Sequence, residues 1–177
     1  LIIIVPLWGQ KTYKLIPSTS NKILIKGTSN LHDWESNVGQ VNGDMSATLD
    51  GNTLTKIEKV SVKITVNSIK SGKGLMDSKT MDALKNEKFP YIIFQSSAVT
   101  ISGKNNLSAV GQLSIAGVSQ TKTIPVTYKI SNDGSITIKG EAKIKMSDYA
   151  IKPPTAMMGM LTTGNDTDIT FEVLFKP

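Results

Sequence analysis

The sequence predicts an all-β fold, an antiparallel barrel of long strands that carries one short helix. Three observations predict it. Beyond Lys11, apolar residues recur at every second position along most of the chain, the pattern of a strand with one buried face. Compact turn signals separate these runs: Asp50-Gly51-Asn52, Gly103-Lys104-Asn105-Asn106, Asn132-Asp133-Gly134 and Gly164-Asn165-Asp166. Only one stretch, beginning at Asp77 and stopped by Pro90, carries a convincing helix signal.

The elements follow in order. LIIIVPLWGQ is apolar for eight residues and then breaks at Gly9 and Gln10. It is too short for a membrane span and resembles the end of a secretory signal. Residues 1–10 are therefore read as a signal-peptide remnant and 11–177 as the folded domain, the alternative being a first strand apolar on both faces. Next, Ile23 and Ile25 alternate with Lys22 and Lys26, and Val60, Val62, Ile64 and Val66 with Lys59, Ser61, Lys63 and Thr65. Asp77 is read as the cap of a helix whose apolar positions are Met81, Ala83 and Leu84, with Lys85 and Lys88 at the negative end of its dipole. A strand from Tyr91 to Ile101 follows. Leu107 to Ile115, Ile124 to Ile130, Ile136 to Ile144 and Ile169 to Phe175 each present one apolar face.

About eight or nine strands with hairpin-length links leave a sandwich or a closed barrel, and long strands with many edges to protect favour closure. Gly111, Gly140, Ala109 and Ala142 fall on inward faces, where they relieve crowding or leave interior space. The segment Ser147 to Gly164 breaks the alternation. Pro153-Pro154 forces an extended loop, and Met157, Met158 and Met160 cluster behind it, either as an adaptable binding surface or as filling for a barrel end.

Composition narrows the partners. With 177 residues and 39% hydrophobic content, the chain is long enough for one well-buried domain, and at 6% aromatic its core is built from Val, Ile and Leu. Net charge is +6, and all 20 basic residues are Lys. The bidentate fork of Arg that nucleic-acid sites favour is absent, so no nucleic-acid partner is expected. A weak attraction to anionic membrane surfaces stays open, as does a homodimer. There is no Cys, which excludes disulfides and thiolate metal sites.

Catalytic signals are thin. The single His, His32, sits in Asn30-Leu31-His32-Asp33-Trp34. A second His, a Cys nucleophile and a GxSxG elbow are all missing, so no catalytic and no metal-ligating residue is assigned. His32 is expected to make a structural or ligand-orienting hydrogen bond. Ser71-Gly72-Lys73-Gly74 lacks the spacing of a phosphate loop, and Asp77 and Asp82 diverge on a helix.

Several blocks together resemble a known family. Ile25 to Trp34 reads as a strand with a mid-strand His, followed by Gly39 and Gly43. Ser68-Ile69 precede the Gly-rich turn, then come Asp77 and the helix. Lys88-Phe89-Pro90 with Phe94 and Ser96 resemble an "FP…F.S" block, and Gly111 to Gly117 a "G.L.I.G" strand. Ser147-Asp148-Tyr149 stands where that family has Ser-Asp-Phe. The chain resembles the YceI-like family, the lipocalin-like polyisoprenoid-binding proteins of bacteria. The resemblance implies an extended eight-stranded barrel whose apolar cavity holds an isoprenoid chain, with no other cofactor, and export to the periplasm or beyond. Phe89, Phe94 and Tyr149 then join His32, Met81, Leu84, Met157, Met158 and Met160 as expected ligand contacts, the helix and the Met-rich loop framing the entrance. One departure is clear: Lys145-Met146 replace an acidic-Arg pair, so no head-group role of that Arg carries over. The other reading is a structural or stress-related envelope protein whose barrel is filled by its own side chains.

Overall fold

The computed structural model describes residues 9–177; residues 1–8, most of the apolar start read as a signal remnant, lie outside the described residues. The strands are β1 (Lys11–Leu15), β2 (Lys22–Ser29), β3 (Trp34–Val38), β4 (Val41–Asp50), β5 (Thr53–Thr65), β6 (Ile69–Lys70), β7 (Tyr91–Ser102), β8 (Asn106–Ile115), β9 (Val118–Ile130), β10 (Ile136–Lys145), β11 (Thr155–Ala156) and β12 (Leu161–Lys176). One helix, α1 (Gly74–Ala83), lies between β6 and β7. Three pairs of strands continue one another: β1 with β2, β3 with β4, and β5 with β6. These three composite staves plus β7, β8, β9, β10 and β12 make eight. Each pairs antiparallel with its sequence neighbour, and β12 closes the ring on β1 and β2. It is an up-and-down barrel, closed through every neighbouring pair of staves, with β9 and β10 paired over only part of their length.

The breaks in the first three staves are stitched. Asn21 donates to the Ile16 carbonyl (2.8 Å) and accepts from the Leu174 N–H (3.0 Å), bridging β1 and β2 across to β12. Ser68 does the same for the next two: its carbonyl accepts from the Gly39 N–H (2.9 Å) and its hydroxyl accepts from the Gln40 N–H (2.9 Å). The breaks divide the barrel into two halves. Above them, Tyr13, Leu15, Met45, Ile136 and Phe175 are nearly inaccessible and form a closed core. Below them, a smaller cluster of Leu113, Ile115, Ala116, Ile144, Tyr149 and Ile151 lines one side of an interior that α1 covers.

Four local expectations are corrected. Asp77 is not the helix cap: Lys73 holds that position, and Asp77 sits in the first turn, reaching back to the Ser71 N–H (2.7 Å) and hydroxyl (2.6 Å). The helix also ends well before Pro90. Lys85 turns left-handed (φ 52°), its N–H meets the Asp82 carbonyl and the Asn86 N–H meets the Met81 carbonyl (both 3.0 Å), a Schellman stop, and the last turn holds no basic residue. Gly164-Asn165-Asp166 is no turn. It is a bulge within β12, where the register against β2 shifts between Thr163 and Thr167. The inward glycines do not leave space, because aromatic rings occupy it. A Cβ on Gly111 would stand 2.7 Å from the Phe94 ring, and one on Gly140 2.7 Å from the Phe171 ring.

Candidate functional site

The hollow half of the barrel contains a cavity of about 300 Å³, a size at the lower end of ligand pockets. Its depth is isoleucine: Ile25, Ile69, Ile92, Ile115, Ile144 and Ile169 reach it from six different strands. All but Ile69, which opens the two-residue β6, are inward residues of alternating runs, so the same periodicity that closes the barrel greases this wall. The lid is α1, which presents Met76, Thr80, Ala83 and Leu84, spaced to share one helix face. The opposite lip is the base of the hairpin formed by β11 and the start of β12, with Pro154, Thr155, Ala156 and Leu161. Polar groups are sparse. Ser36 is buried in the wall, and His32, Lys73 and Lys79 stand exposed at its rim. Among the described residues no Asp or Glu lines it.

The structure brings two of the expected contacts to this wall, His32 and Leu84. His32 is not mid-strand, because the chain turns there. Ser29 Oγ accepts from the N–H groups of Leu31 (3.2 Å) and His32 (3.1 Å) and donates to the His32 carbonyl (2.6 Å), closing a tight turn between β2 and β3. Its Nδ1 faces the Asp33 carbonyl at 2.8 Å.

The remaining expected contacts lie elsewhere. Met81 is half-buried and off the lining face of α1. Phe89 and Phe94 lay their rings over Gly117 and Gly111, and Phe94 packs into the lower core. Met157, Met158 and Met160 stand at the exposed hairpin tip, outside the wall, while the base of that hairpin lines it. Tyr149 has a sealing position. Pairing between β9 and β10 stops at Gly140–Val126, and below that point the strands part. The 3₁₀ turn Met146–Tyr149 packs into this seam. Asp148 pins the turn to β9 through Lys122 (3.6 Å) and through Gln120, whose amide donates to the Asp148 carbonyl (2.9 Å). The Tyr149 hydroxyl is buried without a partner, and burial, reinforced by the Asp148 charge, pushes its pKa up to about 12.

The isoleucine wall and the helix face were not singled out from the sequence. A signal for the helix existed: Met76, Thr80 and Ala83 fall at helical spacing once the helix starts at Gly74. For the isoleucines no such signal exists, since filled and hollow halves of a barrel share one alternation.

The family model for the YceI-like domain matches residues 13–175, from within β1 almost to the end of β12. The chain belongs to the YceI-like family. Solved structures carry the same architecture. BcnA of Burkholderia cenocepacia is 20% identical with a TM-score of 0.72, over 90% of this chain and 98% of that one. A polyisoprenoid binding domain from Saccharophagus degradans, implicated in plant cell wall breakdown, is 12% identical with a TM-score of 0.74, over 94% and 99%. The YCEI protein of Campylobacter jejuni is 21% identical with a TM-score of 0.64, over 78% and 82%. These structural matches show a shared fold. No functionally curated protein matches the sequence.

Proposed function

We propose that this YceI-like barrel binds, stores or carries one long apolar molecule, a polyisoprenoid or isoprenoid quinone, with its tail in the hollow half. The observation that carries the reading is the division of one barrel into a filled half and an isoleucine-walled cavity under a helix. A self-filled structural barrel needs no such division. Each 100 Å² of tail buried there contributes about 2.5 kcal/mol, set against the cost of association. The polyisoprenoid-binding domain that shares the fold favours an isoprenoid ligand. The role proposed is binding: His32 stands at the rim of the apolar wall, its Nδ1 facing the Asp33 carbonyl. The reading includes export to the periplasm or beyond, on the apolar start that breaks at Gly9.

The test pairs extraction with uptake. Mass spectrometry of an organic extract of purified protein should show an apolar lipid, and stripped protein should take up N-phenyl-1-naphthylamine with a rise in fluorescence. Ala83→Phe pushes a ring from α1 into the cavity and should abolish uptake with an unchanged melting temperature. A clean extract together with no dye uptake refutes the reading. Export is checked separately, since protein recovered from an exporting host should begin near Gln10 or Lys11.

A further inference from the structure

A tail held in this cavity has almost no free concentration in water, so the mouth must meet whatever holds the tail before and after. Around the mouth the protein keeps large apolar side chains in solvent. Leu31 is 68% exposed, Leu75 66%, Met157 63% and Met160 70%, and Met158 is fully exposed. They come from three elements that the fold gathers. Asn30 ties the Leu31 turn to the hairpin, donating to the Met160 carbonyl (2.8 Å) and accepting from the Thr162 N–H (2.9 Å). Leu75 sits in the first turn of α1 and itself lines the cavity.

This fringe is not a core that failed to close. The hairpin tip passes through three successive left-handed residues, Met157 (φ 52°), Met158 (φ 56°) and Gly159 (φ 85°). For a non-glycine residue that conformation costs about 1–2 kcal/mol, and here it turns methionines outward at positions where Asn or Gly would sit without strain. Charge points the same way. Lys73 and Lys79 stand in the mouth, and among the described residues neither has a carboxylate within 4.0 Å. Asp77, the nearest acid on the helix between them, is already engaged by Ser71.

We propose that the cavity mouth docks on an anionic bilayer, the Met157–Met160 tip and Leu31 entering the acyl boundary and Lys73 and Lys79 meeting the head groups. The proposal rests on the lipid-binding reading above. Docking is a surface contact, since strand faces such as that of β10 carry Lys139, Glu141 and Lys143 to solvent. A flexible thioether tip suits a disordered acyl boundary, and one small apolar tip with two lysines gives weak, reversible association. A tail then passes from bilayer to cavity without crossing water.

Co-sedimentation of the full chain with sucrose-loaded vesicles tests this. The vesicles are phosphatidylcholine alone, or the same with about 30% phosphatidylglycerol. Wild type should sediment with the anionic vesicles and less with the neutral ones. Met157→Asn with Met158→Asn keeps the left-handed backbone and should cut partitioning roughly tenfold or more. Lys73→Gln with Lys79→Gln should remove the preference for anionic vesicles. N-phenyl-1-naphthylamine uptake should be normal in the methionine variant, whose changes lie outside the cavity wall. Wild type that ignores both vesicles, or a methionine variant that sediments like wild type, overturns the docking proposal. With dye uptake intact, either outcome leaves the cavity reading standing and points to a protein partner for the tip. Loss of dye uptake in wild type overturns the reading beneath it.

Discussion

Replacing Tyr149 by Phe removes one hydroxyl and keeps the ring that seals β9 against β10. The hydroxyl is buried without a hydrogen-bond partner, so its removal should stabilise the protein at neutral pH by about 1–3 kcal/mol. The difference should widen in alkali. The unfolded chain releases the phenol proton near about 10, whereas the folded chain holds it to about 12. Between those values the unfolded state binds fewer protons than the native state, so wild type loses stability as pH rises. The slope is about 1.4 kcal/mol per pH unit, or roughly 3 kcal/mol across the window. The variant has nothing to titrate there. Tyr13, whose pKa burial also raises, ionises in both proteins and cancels in the comparison. Urea unfolding followed by circular dichroism, at neutral pH and at steps between pH 9 and 12, gives the difference curve. Variant minus wild type should be flat below about 9 and rise above about 10. Parallel curves throughout would refute the buried, unpartnered hydroxyl. The same variant should keep N-phenyl-1-naphthylamine affinity within about twofold, and a tenfold loss would make the hydroxyl a ligand contact instead.

Three further outcomes are expected. Gly111→Ala drives a Cβ against the Gln95 carbonyl oxygen and to 2.7 Å from the Phe94 ring, so urea unfolding should show a loss of about 1–3 kcal/mol. Adding Phe94→Leu should not restore it, because the backbone oxygen cannot move aside; full rescue would place the clash on the ring alone. Asp77→Ala frees the Ser71 N–H and hydroxyl that hold this carboxyl below its ordinary pKa, so amides of the first turn of α1 should exchange faster with solvent. The contribution of a depressed carboxyl is present above its unfolded pKa and lost as pH falls through the folded one. The variant should therefore show a shallower loss of stability than wild type below about pH 4, and an unchanged acid limb counts against the bond. His32→Ala should change dye affinity by less than about threefold in fluorescence titration, since Ser29 Oγ holds the turn through the backbone N–H and carbonyl of residue 32. An activity lost with His32 would overturn the binding role.

Alternation along β8, β10 and β12 was enough to predict an antiparallel barrel, because a period of two leaves one apolar face that only closure or stacking can bury. The order of short blocks from Ile25 to Tyr149 pointed to the YceI-like family, since each block marks a fixed place in one topology. The local signals that misled are those where one residue has two uses. Asp77 can cap a helix or tie back to a turn, and Gly164-Asn165-Asp166 can make a hairpin or a bulge; the register of β12 against β2 and β10 decides for the bulge. An inward glycine reads as empty space until a ring from another strand, such as Phe94 over Gly111, is seen to fill it. The cavity itself was set by tertiary structure alone. Ile136 in the filled half and Ile144 in the hollow half stand on the same face of the same strand, and what separates them is how far β9 stays paired, where three staves break and what α1 covers. Those are distances between segments far apart in the chain, and no local pattern encodes them.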